Sequence, residues 1–448
     1  MTQLLQHVSI EKIAQYTGQV VNLRGWIYNK RGSGKIQFIQ LRDGSGYIQC
    51  VLSAESVSPT LFDEVKSLGQ ESALEITGTV IKDERAPFCG FEIQVSDVKV
   101  VSNCKDYPIT KKEHGDSFLM DRRHLWLRSS RQHAILKIRA TLIKAIRDYF
   151  DDNDFTLVDS PIFTANACEG TSTLFETEWF DGRKAYLSQS GQLYQEAACA
   201  AFGKSYCFGP TFRAEKSKTR RHLNEFWMVE PEVAFNDNDA NIDLAEDFLC
   251  SIVSTVLAKH EKDLVEVLER DVSALKKVQK PFPRISYDDA VKMIQELQKQ
   301  CTEPELKAQL EIEWGMDFGS PHETVLTKQF DRPIVIMDFP AQVKAFYMKK
   351  DVNSPKHAKC MDVLAPEGYG EIIGGGQREE NLELLEKEIA RHVLDVADLQ
   401  WFLDLRRFGA MPHAGFGLGV ERTVAWICGL HHVRETIPFA RTLDRLNP

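Results

Sequence analysis

The chain has 448 residues, of which 43% are hydrophobic and 27% are charged, the balance of an ordinary globular protein. At roughly 150 residues per domain this length predicts two or three domains, and no apolar run approaches the roughly 18 residues that span a bilayer. The net charge of −10 excludes indiscriminate binding to nucleic acid but allows a local basic site. The first residues lack a basic stretch followed by a long apolar one, so no secretory signal is expected.

The ten cysteines are scattered along the chain. None of them forms a C-x-x-C pair, so no zinc site is expected. Several stand among apolar residues, which predicts buried and reduced thiols of the kind found in cytoplasmic proteins.

Five short segments rich in β-branched and aromatic residues follow one another between residues 20 and 104, with glycines between or beside them. They are VVNLRGWIY, KIQFIQLRD, YIQCVLS, ALEITGTVI and FEIQVSDVKV. Five strands within about 85 residues predict a small barrel, for which the OB-fold is the natural candidate and an SH3-like barrel the alternative. We therefore predict that residues 1–104 form one domain.

The polar and charged stretch 105–130 is predicted to be a linker or hinge, and residues 131–448 a second domain. Its first element is a helix with an apolar stripe formed by Ile135, Ile138, Leu142, Ile146 and Phe150. Further strands are predicted at TLVDSPIFT, KAYLSQS, KSYCFGPTFRAE, EFWMVEPEVAF, RPIVIMDFP and KAFYMKKD, and further helices near 190–202, 240–265, 286–300 and 380–398. Without regular β-α alternation, these elements predict an α+β fold with a largely antiparallel sheet.

The segment FRAEKSKTRRHLNEF predicts a cationic hairpin between two apolar strands. Alternation along a strand places Arg213 and Glu215 on one face, with Arg221 and His222 in or near the loop. Guanidinium groups suit phosphate oxygens, and Phe226 suits stacking on a base, so the hairpin is a candidate site for a nucleoside triphosphate. On composition alone, a surface hairpin held by salt bridges is the alternative.

Two glycine-rich segments carry further charged candidates. GFGLGVER predicts a strand that turns tightly into a helix, and Arg422 at its end is a second candidate for phosphate; the spacing is not that of a dinucleotide fingerprint. In EIIGGGQREE, Glu371 stands seven residues before Arg378, and Asp362 upstream could meet Glu371 across a turn. Two such carboxylates would suit a hard cation, although each pattern alone also fits an ordinary turn.

Together and in this order, these segments resemble the three motifs of class II aminoacyl-tRNA synthetases. Residues 131–164 resemble the first motif, FRAE…RHLNEF the second and GFGLGVER the third. The barrel resembles the OB-fold anticodon-binding domain of the aspartyl, asparaginyl and lysyl subgroup. Longer stretches such as KAYLSQSGQLYQEAA and GLGVERTVAWICGL are similar to the bacterial asparaginyl family. The resemblance covers nearly the whole chain and is weakest at 265–330, a variable and partly helical insertion.

The resemblance implies ATP-dependent ligation of L-asparagine to tRNA(Asn) through an asparaginyl adenylate, with release of AMP and pyrophosphate. It also implies a cytoplasmic homodimer joined through the first motif, Mg²⁺ as the metal, no zinc and no membrane partner. Two alternatives stay open, an aspartyl-tRNA synthetase-like enzyme and a paralogue that binds tRNA or regulates without charging it. Retention of Arg213, Asp362, Glu371 and Arg422 favours an active enzyme.

The resemblance further implies a role for each matching residue. Catalysis would rest on Arg213, Arg422 and Glu371; ATP would bind Arg213, Glu215, Arg221, His222, Phe226 and Arg422; asparagine would bind Glu169, Ser190, Gln192, Glu230 and Arg378; Mg²⁺ would bind Asp362 and Glu371; and the anticodon would bind Arg31, Phe38 and Gln49. No general base is expected, because attack of a carboxylate on phosphorus requires positioning and charge rather than proton transfer.

Selection of asparagine over aspartate depends on hydrogen-bond polarity and charge, because the two side chains have nearly equal size. Arg378 would donate to the amide carbonyl, and Glu230 would accept from the amide NH₂ and repel a carboxylate. Gln195 stands where the aspartyl enzymes carry a lysine. The loss of that cation, with Glu230 retained, favours asparagine.

Overall fold

The computed structural model describes residues 7–168 and 173–448. It divides the chain into two units, one ending at Asp116 and one beginning at Ser117. The finer division, with residues 105–130 as a separate linker, stays a prediction. Among the described residues, no helix combines the length and the apolar character needed to cross a membrane.

The first unit is a closed five-stranded barrel, as the OB-fold prediction requires. Its elements are β1 (Val20–Ser33), β2 (Ile36–Arg42), β3 (Tyr47–Ser53), α1 (Pro59–Ser67), β4 (Ala73–Lys82) and β5 (Phe91–Ser102). The strands close in the order β1-β2-β3-β5-β4, in which β3 and β5 run parallel and the other neighbours antiparallel. Every second side chain points inwards, so Leu23, Ile39 and Ile76 are fully buried in one core.

Helix α1 closes one end of this core and is capped at both termini. The Ser58 side chain accepts a hydrogen bond from the Leu61 amide at its start. At its end, Lys30 Nζ donates to the carbonyl oxygens of Val65, Lys66 and Leu68 at 2.7, 2.8 and 2.8 Å. The Val65 carbonyl also accepts from the Leu68 amide at 3.3 Å, so the lysine of β1 adds a charged donor to the carbonyls at the end of α1.

The second unit is an α+β domain built on an eight-stranded sheet. Its first half, with the helix that begins at the division, comprises α2 (Asp116–Asp121), α3 (Arg123–Trp126), α4 (Ser130–Asp152), β6 (Thr156–Leu157), β7 (Phe163–Thr164), β8 (Glu176–Glu178), β9 (Lys184–Leu187), α5 (Gln192–Phe202), β10 (Lys204–Phe212), β11 (Glu225–Ala234) and α6 (Asn238–Lys262). Its second half comprises β12 (Arg284–Ser286), α7 (Tyr287–Gln300), α8 (Pro304–Gln309), α9 (Ser320–Thr327), β13 (Ile334–Met337), β14 (Cys360–Ala365), β15 (Gly370–Gln377), α10 (Leu382–Arg391), α11 (Gln400–Arg407), β16 (His413–Gly419) and α12 (Val420–Cys428).

The large sheet has the order β12-β13-β14-β15-β16-β11-β10-β6. Neighbouring strands are antiparallel except at the two edges, where β12 pairs parallel with β13 and β6 parallel with β10. The largely antiparallel sheet of the prediction is confirmed. A smaller antiparallel sheet, β7-β9-β8, accompanies it.

The predicted apolar stripe of α4 is buried inside the chain itself. Ile135, Ile138, Leu142 and Ile146 are fully buried, and α4 packs on α6 and α12. At the end of α4, Phe150 contacts aromatic rings of β10 and α6. The helix is therefore part of the domain core.

Two predicted strands differ from the structure. TLVDSPIFT is not one strand but two short ones, β6 in the large sheet and β7 in the small sheet, because the chain leaves one sheet for the other around Pro161. KAFYMKKD forms only isolated bridges, Met348 to Arg378 and Lys350 to Ala358. Both segments have strand-like composition, but pairing partners decide where a ladder forms.

The lysine cap of α1 gives a stability prediction. Replacing Lys30 with Met should lower the free energy of unfolding of the barrel by about 1–3 kcal/mol, because three carbonyl oxygens lose a charged donor. Differential scanning calorimetry of the full chain measures this. Lys35→Met is the matched control, since that lysine is 79% exposed and its ion pair with Glu55 is long, at 3.9 Å. Equal losses in the two variants would contradict a capping role for Lys30.

Candidate functional site

Two adjoining cavities lie in the second unit, over the middle of the large sheet. The hairpin cavity is lined by Arg213, Glu215, Arg221, His222, Phe226 and Arg422. The inner cavity is lined by Ser190, Gln192, Glu230, Asp362, Lys344 and Arg378. Arg213 and Glu371 line both, so they stand where the two cavities meet.

The hairpin continues beyond the regular strands. Strand β10 ends at Phe212, but the Arg213 amide still donates to the Asn224 carbonyl at 3.0 Å. Asn224 Nδ2 donates to the carbonyls of Arg213 and Glu215 at 2.8 and 3.0 Å, which fixes the start of the loop. The Arg213 guanidinium lies 5.4 Å from the centre of the Phe226 ring. The predicted cation and aromatic therefore lie side by side.

His222 and Glu215 face each other inside the same loop. His222 Nε2 lies 3.4 Å from a Glu215 carboxylate oxygen, and its Nδ1 lies 3.1 Å from Ser217 Oγ. Burial, followed by the positive charge of Arg422, lowers the pKa of His222 below its ordinary value. The lowered pKa favours the neutral form of the His222 imidazole.

Arg221 is used inside the protein. Its guanidinium makes an ion pair with Glu323 at 2.6 Å and donates to Thr324 Oγ1 at 2.7 Å and to the Gly368 carbonyl. Arg221 thus ties the hairpin to α9. Sequence reasoning missed Glu323 because it stands 102 residues away, in the segment where the family resemblance is weakest.

Arg422 and Glu371 form the junction between the cavities. Arg422 Nη1 donates to the Glu371 carbonyl at 3.0 Å and to its carboxylate at 2.9 Å. Although burial alone would raise it, Arg422 and Lys344 hold the pKa of Glu371 below its ordinary value. Glu371 is therefore an anion with cations on two sides.

Asp362 lies beside Glu371 across β14 and β15. Lys344 Nζ contacts both Asp362 carboxylate oxygens at 2.7 and 2.9 Å. Burial raises the pKa of Asp362 to about 7, Lys344 opposes the rise and Glu371 adds to it. Gly374 pairs with Asp362, and a side chain there would meet Glu371 Oε1 at 2.8 Å and Asp362 Oδ1 at 3.5 Å. The glycine keeps the space between the two carboxylates open.

That space fits a divalent cation by its donor chemistry. Two carboxylates converge on it, and carboxylate oxygens are the ligands that a hard cation prefers. Lys344 already contacts both oxygens of Asp362, so a cation would share this carboxylate with the lysine. Among residues 7–168 and 173–448, no group of three or more His, Cys, Asp and Glu side chains is arranged to hold a metal ion by itself. A cation here would therefore depend on further oxygen atoms from its ligand.

Arg378 is fixed by a buried ion pair with Glu232. Arg378 Nε and Nη2 each donate to Glu232 at 3.0 Å, Nη2 also donates to Gln192 Oε1 at 2.6 Å, and both charged side chains are at most 1% exposed. Its Nη1 contacts Met348 Sδ at 3.4 Å. Sequence reasoning missed Glu232, although its position two residues after Glu230 on a strand places both on one face.

Glu230 is a buried acceptor on the opposite side of the inner cavity. It accepts from Ser190 Oγ, from the Gly191 amide at 2.8 Å and from Cys207 Sγ at 3.5 Å. Burial raises its pKa above the ordinary value, although these donors oppose the rise. Glu230 is therefore a buried acceptor that lines the inner cavity.

The remaining residues of this unit that the sequence nominated are Gln195, Glu169 and the pair Glu371 and Arg378. Gln195 does not line the inner cavity; its Nε2 donates to the Val158 carbonyl at 2.8 Å and to Ser160 Oγ at 3.2 Å. Glu169 lies outside the described residues. Glu371 and Arg378, seven residues apart, both reach the inner cavity because Arg378 stands just beyond the end of β15.

A separate polar surface lies on the barrel of the first unit. Arg31 and Phe38 are paired across β1 and β2, with the guanidinium 5.0 Å from the ring centre. Gln49 on β3 donates through Nε2 to Glu92 at 3.3 Å, and its Oε1 is buried with no hydrogen-bond partner in the described part of the chain. Together they form a cation, an aromatic face and an unused acceptor.

Family models match both units. Residues 115–443 match the model for class II tRNA synthetases (D, K and N), and residues 21–101 match the model for an OB-fold nucleic acid binding domain.

Named relatives match the whole chain. The chain is 57% identical to the asparagine–tRNA ligase of Sorangium cellulosum over 98% of its length and 99% of that protein. The asparaginyl-tRNA synthetase of Pyrococcus horikoshii, complexed with asparaginyl-adenylate, superposes with a TM-score of 0.94 at 41% identity over 100% of both chains. The aspartyl-tRNA synthetase of Entamoeba histolytica is more distant, with a TM-score of 0.81 at 26% identity over 100% of this chain and 94% of that one.

The Arg221–Glu323 pair gives a prediction that is independent of any ligand. Glu323→Gln should lower the free energy of unfolding by about 3 kcal/mol, because it leaves a buried guanidinium without its counter-charge. Arg221→Gln and the double variant complete the cycle, measured by chemical denaturation, with an interaction free energy of about 1–3 kcal/mol.

The exposed pair Lys299 and Glu296 is the control for that cycle, with side chains 69% and 62% exposed. Its interaction free energy should stay below about 0.5 kcal/mol. Similar values for the two pairs would contradict a structural role for the buried pair.

Proposed function

Because the chain belongs to the class II aminoacyl-tRNA synthetases, and among them to the asparaginyl-tRNA synthetase family, we propose that it ligates L-asparagine to tRNA(Asn) with ATP. The reaction passes through an asparaginyl adenylate and releases AMP and pyrophosphate. The observation that carries this proposal is the pair of cavities that meet at Arg213. One is lined by cations and an aromatic ring, and the other by hydrogen-bond donors and acceptors that suit an amide side chain.

ATP occupies the hairpin cavity in this proposal. The adenine stacks on Phe226, and Glu215 contacts the region of its amino group. Arg213 and Arg422 bind phosphate oxygens as charge-assisted donors, and His222 lies near the outer phosphates. Arg221 is proposed as a further ATP-binding residue; its ion pair with Glu323 supports in addition a role in shaping the cavity wall.

The first step is an in-line attack of the asparagine carboxylate on the α-phosphorus. Arg213 lines both cavities, so one guanidinium can contact the attacking carboxylate and the α-phosphate together. Glu371 fixes the orientation of Arg422 through its carboxylate. Catalysis then rests on positioning and fixed charges, and no side chain is assigned as a general base.

Mg²⁺ is the cation that the two converging carboxylates would hold, with Asp362 and Glu371 as its protein ligands. Bound there, it would neutralise the charge of the phosphate oxygens. The two carboxylates and the open space at Gly374 support this proposal.

Asparagine occupies the inner cavity. Arg378 donates to the side-chain carbonyl, and Glu230 accepts from the side-chain NH₂. Ser190, Gln192 and Glu169 are proposed to orient the rest of the amino acid. An aspartate carboxylate would meet Glu230 as a like charge, which supports asparagine over aspartate.

On the barrel, the Arg31, Phe38 and Gln49 surface is proposed to bind the anticodon. The ring of Phe38 offers a stacking face and Gln49 Oε1 an unused acceptor, while Arg31 supplies positive charge. This arrangement is the usual combination for single-stranded nucleic acid.

A homodimer through the first motif is also part of the proposal. The stripe of α4 does not support it, since that stripe is buried within the chain. Support comes from the exposed apolar residues around β7 and β8, where Phe163 and Trp179 are 51% and 39% exposed and their rings lie 5.9 Å apart. We further propose a cytoplasmic location, in keeping with cysteines that form no disulfide in the described part of the chain.

The experiment that tests the function is ATP–pyrophosphate exchange with asparagine and with aspartate, before and after addition of tRNA. Exchange that depends on asparagine, followed by charging of tRNA(Asn), is the expected result. Preferential exchange with aspartate would favour an aspartyl enzyme, and tRNA binding without exchange would favour a paralogue that does not charge tRNA. Light scattering at micromolar concentration tests the dimer; a fully active monomer would contradict it.

The barrel surface predicts that recognition and chemistry can be separated. Phe38→Ala should weaken charging of tRNA by the equivalent of about 1–3 kcal/mol, the free energy of stacking on one base, while exchange with asparagine is unchanged. Both activities are measured on the same preparation. An equal fall in exchange would indicate that Phe38 is a structural residue.

The inner cavity predicts the behaviour of Glu230→Gln. Asparagine activation should fall because an amide is a weaker acceptor than a carboxylate, and rejection of aspartate should relax because a fixed negative charge is removed. The ratio of kcat/KM for asparagine over aspartate should therefore decrease. An unchanged ratio with full asparagine activity would show that Glu230 does not contact the side chain of the substrate.

A second substitution, Gln195→Lys, introduces the lysine that the aspartyl enzymes carry at this position. In the structure a lysine at this position would first replace a donor to Val158 and Ser160. Its effect on the ratio should therefore be smaller than that of Glu230→Gln and need not add to it.

A further inference from the structure

A cluster of buried charges lies behind the inner cavity, formed by Glu196 of α5, Arg406 of α11 and His413 of β16. Their side chains are 0%, 2% and 7% exposed, and none of the three lines either cavity. We name it the rear cluster. Burial of three ionisable groups costs free energy unless each group is paired.

Glu196 is connected to the inner cavity through Gln192. Gln192 Nε2 donates to Glu196 Oε1 at 3.2 Å and to Glu232 Oε2 at 3.1 Å. Gln192 Oε1 accepts from Arg378 Nη2 at 2.6 Å. The two amide hydrogens thus meet carboxylates and the amide oxygen meets a guanidinium, so charge fixes the direction of this amide.

His413 is held on both of its ring nitrogens. Nδ1 lies 2.9 Å from the Met411 carbonyl oxygen and Nε2 lies 3.0 Å from Glu196 Oε2. Both partners are acceptors, so each nitrogen has to carry a hydrogen and the ring is an imidazolium. Although burial alone would lower it, the hydrogen bond and charge of Glu196 hold the pKa of His413 above its ordinary value.

Arg406 completes the clamp on Glu196. Its Nη2 donates to the same Glu196 oxygen, and its Nε donates to the Glu379 carbonyl at 2.9 Å. The guanidinium also lies 4.3 Å from the centre of the Phe402 ring. Glu196 is therefore held on one side by two cations and on the other by Gln192.

We propose that the rear cluster positions Gln192 and, through it, Arg378, and that its charge contributes to the discrimination between asparagine and aspartate. This inference rests on the proposed function. Glu196, Arg406 and His413 are positioning residues, since they act through Gln192 and do not contact the substrate.

The rear cluster, Arg378 and the two carboxylates of β11 form a balanced group of charges. In it, three cations match three carboxylates: Arg378, Arg406 and His413, against Glu196, Glu230 and Glu232. Further charged groups, among them Arg213, Lys344, Asp362 and Glu371, line the inner cavity and are the same in every variant of the test. An asparagine side chain leaves this balance unchanged. Aspartate adds one negative charge in a buried region, where charges interact strongly because water does not screen them. Loss of the His413 proton makes the region more negative and therefore disfavours aspartate further.

Several charged groups face His413 and have to be separated in the test. Glu196 faces it from α5, Arg406 from α11 and Glu232 from β11. Glu230 and Asp362 are further titratable groups that line the inner cavity, and a proton gained by either at low pH would favour aspartate in the same direction. The comparison of wild type with a His413 variant isolates the share of His413.

The experiment measures kcat/KM for asparagine and for aspartate in pyrophosphate exchange with the full-length protein. The variants are Glu196→Gln, His413→Gln and the control Glu246→Gln. Glu246 lies on α6 and is 2% exposed, so it is about as buried as Glu196. It accepts a hydrogen bond from Arg284 Nε at 2.9 Å and lines neither cavity. Effects on ATP and on the metal are common to both amino acids and cancel in the ratio.

We expect Glu196→Gln to lower the asparagine-to-aspartate ratio about tenfold, the factor that corresponds to one charge-assisted hydrogen bond. The control should leave the ratio within about twofold, as remote substitutions do. Between pH 6 and 8 the wild-type ratio should rise with pH, and this rise should become shallower in His413→Gln.

Unchanged ratios in Glu196→Gln and His413→Gln, with a fall in Tm like that of the control, would overturn the proposal and make the cluster purely structural. If Glu196→Gln does not fold, the pH profile of His413→Gln decides, and a profile superimposable on wild type overturns the proposal. Absence of asparagine-dependent exchange in the wild type would instead refute the proposed function.

Discussion

The buried ion pair of Arg378 and Glu232 is the interaction on which the inner cavity depends. Both side chains are almost completely excluded from solvent, so removal of either would leave an uncompensated charge in the core. The Nε and Nη2 atoms of the guanidinium both donate to Glu232, and Nη2 also donates to Gln192. The remaining Nη1 contacts Met348 Sδ at 3.4 Å, so the orientation of the whole guanidinium is fixed.

The order of the large sheet explains why these groups meet. Strands β15, β16, β11 and β10 are neighbours although they come from distant parts of the chain. Glu371 and Arg378 come from β15 or its end, Glu230 and Glu232 come from β11, and only β16 separates these two strands. Gly374, Gly375 and Gly417 keep the strand surface low, since a side chain at any of them would approach a neighbour closer than about 3 Å. The cavity floor is thus the sheet itself.

Charge compensation connects the two cavities and the groups behind them. Glu371 neutralises Arg422 and lies beside Asp362, whose own partner is Lys344. Glu323 neutralises Arg221 and accepts from the Glu371 amide at 3.2 Å. Segment 265–330, whose sequence is least informative, therefore supplies a charge that the hairpin requires. A substitution in one cavity is expected to change the pKa values of groups in the other.

Predictions from the sequence succeeded where the pattern is local. In β1 to β5 apolar residues alternate with the period of a strand, and in α4 they repeat with the period of a helix. These repeats arise because the residues on one face of each element are buried. TLVDSPIFT and KAFYMKKD have the composition of strands but not their pairing, which depends on the rest of the sheet.

The sequence by itself determined the fold class, the family and the charged and aromatic residues that converge, since these follow from composition, spacing and motif order. Only the tertiary structure decided which partner each charge has. Glu232 for Arg378, Glu323 for Arg221, Lys344 for Asp362 and the clamp of His413 and Arg406 on Glu196 are all contacts between residues distant in the chain. The physical reason is that buried charges must be paired in space, and a linear pattern carries no distances.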